Sequence, residues 1–466
     1  MKSSELLSMG LPRALLPEAF QLIRTMSERG ADGAEMRTVF DGLIQNPQAA
    51  TEDPELKSLA EGILARPKAF APREAPAPYR IWGEGLEEGS LRQMKTAADL
   101  PVAVRGALMP DAHQGYGLPI GGVLATENAV IPYAVGVDIA CRMRLSIFDV
   151  EDAAGALAAP VRDRLRVALE GETRFGVGAK FNGRLRRDHP VMEADWQATP
   201  VTKQLRDRAW AQLGTSGSGN HFVEFGLLDL ERPAAGLEAG SYLALLSHSG
   251  SRGSGATVAS HYSKLAKELH PELPRELQNL AWLDLDLAEG QEYWHAMNLM
   301  GEYAAANHER IHHHVAQALG FDVAAVVENH HNFAWKEEHD GRELIVHRKG
   351  ATPAGAGVLG MIPGTMADPA FLVSGLGDPS SLRSASHGAG RRMSRTEARR
   401  RFTWDETRAL LAERDVELLS ADIDEAPMAY KDIRQVMAAQ TDLVEVLGTF
   451  QPRMVKMAPA GERPED

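Results

Sequence analysis

Beyond residue 80 the chain is punctuated in one repeated way: short apolar, β-rich runs give way to glycine-rich polar segments. Runs at 102–108, 122–126, 243–246, 324–327, 343–346 and 371–373 have the composition of strands. Between them, patterns near 202–213, 256–269, 290–318 and 405–418 carry helical periodicity. Strands and helices do not alternate strictly, so the sequence predicts an α+β class, with mixed sheets flanked by helices rather than a doubly wound sheet. No long period recurs, which excludes a solenoid.

Residues 1–65 read differently, as a helical module with segments near 17–29, 33–45 and 53–65; Pro17 and Asp53-Pro54 mark starts and Gly30 a stop. The stretch "RPKAFAPREAPAPYR", 66–80, holds four prolines and reads as an extended linker. Residues 81–466 then form one large catalytic domain. No apolar run approaches the roughly 18 residues of a membrane helix, and the start lacks a signal-peptide pattern, so a cytoplasmic protein is expected. The one cysteine, Cys141, excludes an intramolecular disulfide framework and leaves packing, reactivity or metal binding as its use.

The polar segments gather metal-binding chemistry. "VGVDIACRM" sets Asp138 three residues before Cys141; "GTSGSGNHFVEF" carries Asn220, His221 and Glu224; "LLSHSGSRGSG" carries His248 and Arg252; "VVENHHNFAW" carries His330, His331 and Asn332. Each follows or begins a strand-like run, where a sheet edge delivers side chains into a cleft. Thiolate, carboxylate and imidazole together suit a borderline divalent ion such as Mn²⁺, Zn²⁺, Fe²⁺ or Co²⁺ rather than Mg²⁺. A competing pattern is "HERIH": His308 and His312 flank Glu309 in a helical segment, as in zinc metalloproteases, although this leaves every glycine motif unexplained.

A second set of motifs suits phosphate. "HRKGATPAGAGVLGMIPGTM", 347–366, supplies Arg348, Lys349 and small residues whose amides can cradle an anion, without the order of a Walker A loop. Then "SASHGAGRRMSR" sets His387 against Gly388-Ala389-Gly390 and two arginines. A neutral imidazole can attack the α-phosphorus of a nucleoside triphosphate, and small neighbours let the nucleotide approach. The net charge of −14 argues against indiscriminate coating of nucleic acid, yet Arg184-Leu-Arg-Arg187 and the run "RRMSRTEARRR" at 391–401 are basic islands.

Taken together, "ALMPDAHQGYGLPIGGV" at 107–123, "EAPMAYKDI" at 425–433 and "QPRMVKMAP" at 451–459 join these motifs in a pattern that resembles the RtcB family of RNA ligases, which act in tRNA splicing and RNA repair. The resemblance covers most of the chain after the linker. It implies a two-manganese site at Asp138, Cys141, His221, His248 and His331, the thiolate bridging both ions. It implies guanylylation of His387 by GTP, with GMP contacts from Asn220, His221, Phe222, Val223, Glu224, His331, Asn332, Pro363, Gly364, Thr365, Met366, Gly388, Ala389, Gly390, Lys456 and Tyr430. The implied reaction joins an RNA 2′,3′-cyclic phosphate or 3′-phosphate end to a 5′-hydroxyl end. Implied partners are GTP, broken tRNA or other structured RNA and an activating protein. Ala140, Arg142, Pro353 and Ala370 depart from the family pattern and mark a divergent branch. Two rivals are an enzyme that opens cyclic phosphates without sealing and a catalytically retired RNA-binding factor.

Overall fold

The computed structural model describes residues 1–12, 15–64 and 72–463, and its helices and mixed sheets make it an α+β protein. The chain folds as two compact units, Met1–Pro72 with Lys267–Glu276, and Arg73–Ala266 with Leu277–Asp466. In the first, the helices Leu16–Glu28, Gly33–Gln45 and Lys57–Leu64 bury Leu22, Phe40, Leu43 and Leu59 in a common core. Asp32 caps the second by accepting from the amides of Ala34 and Glu35. Part of the proline-rich stretch, 66–71, lies outside the described residues. Its far end is already sheet: Tyr79–Ile81 pairs in parallel with Gly106, Ala107 and Leu108.

The larger unit is built on two sheets. One has five strands in the order Tyr79–Ile81, Ala103–His113, Ile120–Thr126, Arg342–Lys349, Phe333–His339. The other has eight, running Leu359–Ile362, Ala370–Gly375, Val444–Met457, Phe222–Leu230, Gly240–Ser249, Arg142–Phe148, Val323–His330, with Glu417–Ser420 paired in parallel to Val444–Met457. Strand alternation sorts the larger sheet into two faces. Val223, Phe225, Leu243 and Leu245 pack with Leu165, Leu169, Ile311 and Val315 of the helices Val161–Glu172 and Ala288–Leu319. Leu228, Ala244, Leu246, Met143 and Leu145 form a separate core on the opposite face.

Every strand predicted from the sequence is present, extended by a few residues. The predicted helix near 405–418 is shorter, Trp404–Glu413: Asp415 takes a left-handed φ of +54°, and the chain turns into the strand Glu417–Ser420. The fourteen-residue strand Val444–Met457 escapes a periodicity reading because Gly448 and Pro452 interrupt it. The sheet tolerates Pro452 at a register shift between Pro452 and Met454.

Candidate active site

Four consecutive strands of the large sheet deliver the metal-type residues to one edge. Cys141 immediately precedes Arg142–Phe148, His221 precedes Phe222–Leu230, His248 lies at the end of Gly240–Ser249, and His331 follows Val323–His330. The antiparallel register sets Phe222 and Met143 each opposite His248, and Arg142 opposite His330. Two strands therefore begin where their neighbours end.

The side chains form an unbroken series with the thiol at its centre. Asp138 Oδ2 lies 3.1 Å from His221 Nε2, which lies 3.4 Å from Cys141 Sγ; the sulfur lies 3.0 Å from His248 Nε2, itself 3.2 Å from His331 Nε2. Cys141, His221 and His248 alone make a compact triad, their ligand atoms within 4.8 Å of one another. His248 Nδ1 is bonded to the Asn220 carbonyl, which leaves Nε2 facing the group. Burial, reinforced by His221, pushes His248 down to about 3, and burial beside His387 pushes His331 well below its ordinary value, so both rings keep their lone pairs. Asp138 Oδ2 is buried without a hydrogen-bond partner. A Cβ at Gly250 would sit 2.2 Å from both Asp138 carboxylate oxygens, so glycine there makes room for that carboxylate. An orphaned carboxylate oxygen, a thiol and three imidazole nitrogens converging in a buried space fit a divalent cation.

His387 lies against this group, its ring centroid 4.8 Å from that of His331. Its Nδ1 donates to Asp111 Oδ2 at 2.7 Å, and its backbone N–H reaches the same oxygen at 3.2 Å. Asp111 is fully buried; burial opposes its charge, but His387 and Lys431 hold the carboxyl below the usual range. Lys431 Nζ donates to the carbonyls of Pro110 and Ala112, on either side of Asp111, at 3.1 and 2.6 Å. With Nδ1 committed to a carboxylate, Nε2 carries the lone pair. Gly390 has φ +72° and a Cβ there would meet the Asp111 carbonyl at 2.2 Å, so only glycine lets this loop close on its support.

A cavity of about 590 Å³ joins the two halves and is lined by Asp138, Cys141, Asn220, His221, Phe222, Glu224, His248, His331, Asn332, the 363–366 loop, His387 to Gly390, and Tyr430. The tRNA-splicing ligase RtcB family model matches residues 93–457. The chain belongs to the RtcB family. It is 35% identical to the RNA-splicing ligase RtcB of Escherichia coli K12 over 80% of this chain and 96% of that protein, and 33% identical to the tRNA-splicing ligase RtcB of Archaeoglobus fulgidus over 81% and 93%.

Two expected GMP contacts do not face this RtcB cavity. The register pairs Lys456 with Val223, Val455 with Glu224 and Met457 with Phe222. Alternation turns Phe222, Glu224, Val455 and Met457 to the cavity, and Val223 and Lys456 to the other face. Val223 is core, and Lys456 Nζ donates to the Leu169 carbonyl at 3.1 Å. Arg252 is buried and bonds Thr215 Oγ1 and the Gly176 carbonyl, while His330 packs edge-on against Phe333 and at a tilt against Trp335. The "HERIH" histidines are committed too: His308 bonds Ser247 Oγ and the Ser249 carbonyl, and His312 bonds Ser247 Oγ and Ser146 Oγ, using all four ring nitrogens. Glu309 instead pairs with Arg310 and His189, so no zinc protease site exists there.

Sequence reasoning assigned no role to Asp111, His113 or Lys431, and gave Lys349 a share in the phosphate-binding charge. Asp111 and Lys431 sit inside the 107–123 and 425–433 motifs, and the available signal was a charged residue set in an apolar run. Burial moves Lys349 down to about 7 at the cavity wall, its Nζ held by the Tyr116 carbonyl.

Proposed function

We propose that this protein is a GTP- and Mn²⁺-dependent RNA ligase that joins RNA 2′,3′-cyclic phosphate or 3′-phosphate ends to 5′-hydroxyl ends through GMP carried on His387. Family membership supports the class of reaction. The observation that carries the mechanism is the Asp111–His387 pair at 2.7 Å, set against His331 in the cavity that holds the thiol triad.

His387 Nε2 attacks the α-phosphorus of GTP; a P–N bond forms, the P–O bond to pyrophosphate breaks, and pyrophosphate leaves. Asp111 offsets the positive charge that develops on the ring and keeps Nδ1 as the protonated nitrogen. An RNA 3′-phosphate oxygen then takes GMP from His387, restoring the imidazole. The 5′-hydroxyl attacks the activated phosphate, and GMP departs as the strand closes. A cyclic end is first opened by water to the 3′-phosphate. Glu224 is buried, makes no side-chain hydrogen bond to another described residue, and is pushed up by burial. Its carboxylate oxygens can accept from guanine N1–H and N2–H, which selects GTP. Two Mn²⁺ ions held by Asp138, Cys141, His221, His248 and His331 would supply charge neutralisation at phosphate oxygens.

The test is incubation with GTP labelled in its α-phosphate plus Mn²⁺, then denaturing electrophoresis. Acid-labile label on the wild type and none on His387→Ala is expected. An unlabelled wild type sinks the mechanism. Sealing of a split tRNA distinguishes ligation from end opening alone.

A further inference from the structure

The basic island at Arg184-Leu-Arg-Arg187 has no part in the chemistry above. Arg187 anchors it: buried, it donates to the carbonyls of Gly214 and Glu172 at 2.9 and 2.5 Å and pairs with the Glu172 carboxylate at 3.1 Å. Trp210 Nε1 donates to the Arg187 carbonyl, and the Phe181 amide to that of Ala211, which fastens the segment to the helix Pro200–Gln212. That helix leads directly to Asn220 and His221 of the cavity.

What the anchor holds out is charge. Lys180, Arg184 and Arg186 are exposed, and their side chains form no hydrogen bond or ion pair with another described residue. Over 180–188 these three unpaired cations face one carboxylate, Asp188. Of the acids on the flanking elements, Glu172 is paired with Arg187 and Glu193 with Arg206, which leaves Asp188 and Asp207 as the carboxylates open to these cations. The Arg186 guanidinium lies 4.0 Å from the Trp210 ring centroid, which orients its donors without consuming them. In a chain of net charge −14, a segment with this excess of cations is a local exception.

We propose that Lys180, Arg184 and Arg186 form a second RNA contact, outside the cavity, that grips the phosphate backbone of a helical segment next to the broken ends. This rests on the ligase reading for its choice of RNA. Backbone rather than base contact follows from Trp210, whose ring is covered by Arg186 instead of being free to stack on a base, so the contact is independent of sequence.

The experiment compares K180E/R184E/R186E with K95E/R342E/R434E, which reverses three exposed cations on other elements and changes net charge equally. Binding of a fluorescent hairpin RNA is measured by anisotropy across a salt series, without GTP or metal. The first variant is expected to bind at least tenfold more weakly than the control variant near physiological salt, with the slope of log affinity against log salt smaller by about 2. Equal binding by the two variants overturns the proposal. Because no chemistry is read, a wild type that binds RNA but takes no label from GTP defeats the proposed mechanism and leaves this result standing. Melting temperature checks folding, and K180A/R184A/R186A against K95A/R342A/R434A gives the equal-charge comparison should charge reversal prevent it.

Discussion

Replacing Asp111 by asparagine isolates what one buried charge contributes to His387. Asp111 Oδ2 accepts from both His387 Nδ1 and the His387 backbone N–H, whereas Oδ1 is buried without a partner. Two donors at one oxygen hold the asparagine carbonyl at the Oδ2 position and leave its NH₂ at the empty one. The tautomer of His387 survives, and only the charge is lost. A full positive charge on the ring at 2.7 Å from a carboxylate is worth about 6 kcal/mol at an effective dielectric of ~20, and half that charge about 3 kcal/mol. At ~1.4 kcal/mol per decade, guanylylation should slow by about 100-fold. The assay is single-turnover transfer of label from saturating GTP to the protein, with bound metal measured on the same sample. Metal content should be unchanged, since no hydrogen bond or ion pair joins Asp111 to Cys141, His221 or His248. Asp111→Ala should be slower still, because it also frees the tautomer. A rate within about fivefold of wild type for Asp111→Asn, well under half of the predicted free energy, would refute the electrostatic argument.

Cys141→Ser should cut bound Mn²⁺ from two equivalents to less than one by elemental analysis, and chelation of the wild type should abolish labelling reversibly. For Glu224→Gln, the amide NH₂ turns a donor toward guanine N–H and leaves an unpaired donor, which costs about 1–3 kcal/mol, so GTP should compete for labelling roughly 10- to 100-fold more weakly and its advantage over ATP should collapse. Lys456→Met should leave the labelling rate within about twofold while lowering the melting temperature, because Nζ serves the Leu169 and Thr173 carbonyls rather than the cavity. Ala140 has φ +56°; Ala140→Gly should raise stability by up to about 1 kcal/mol in denaturant titration, from relief of left-handed strain.

The residues that converge at the cavity were legible in the sequence because they are chemically rare and each abuts a strand: Cys141 is the chain's sole cysteine, and His221, His248 and His331 end or open apolar runs. Asp111 was not legible in the same way. Its role depends on meeting a residue 276 positions away, and nothing local distinguishes an aspartate that orients His387 from one that ends a strand. Lys431 is hidden for the same reason, since it acts on the carbonyls of Pro110 and Ala112 across 321 and 319 residues.

Face assignment failed where a motif was read as a contiguous block. Strand geometry allows alternate residues of "NHFVEF" and "RMVKM" into one cavity, so Val223 and Lys456, which face each other across the ladder, belong together on the side away from it. The same rule explains the metalloprotease decoy. Ser247 precedes His248 and so faces the helix Ala288–Leu319, where His308 and His312 need a partner. The "HERIH" histidines thus hold the strand that presents His248. Arg142 fits this logic as well: its buried side chain pairs with Glu328 at 3.6 Å, and Glu328 stands opposite Arg144 on the neighbouring strand and engages it too, so one carboxylate compensates both guanidinium groups. Removing that carboxylate would leave the buried Arg142 guanidinium, one residue from Cys141, without its ion pair, and Arg144 likewise. The integrity of the metal site in this branch should therefore depend on Glu328, a residue that contacts no ligand.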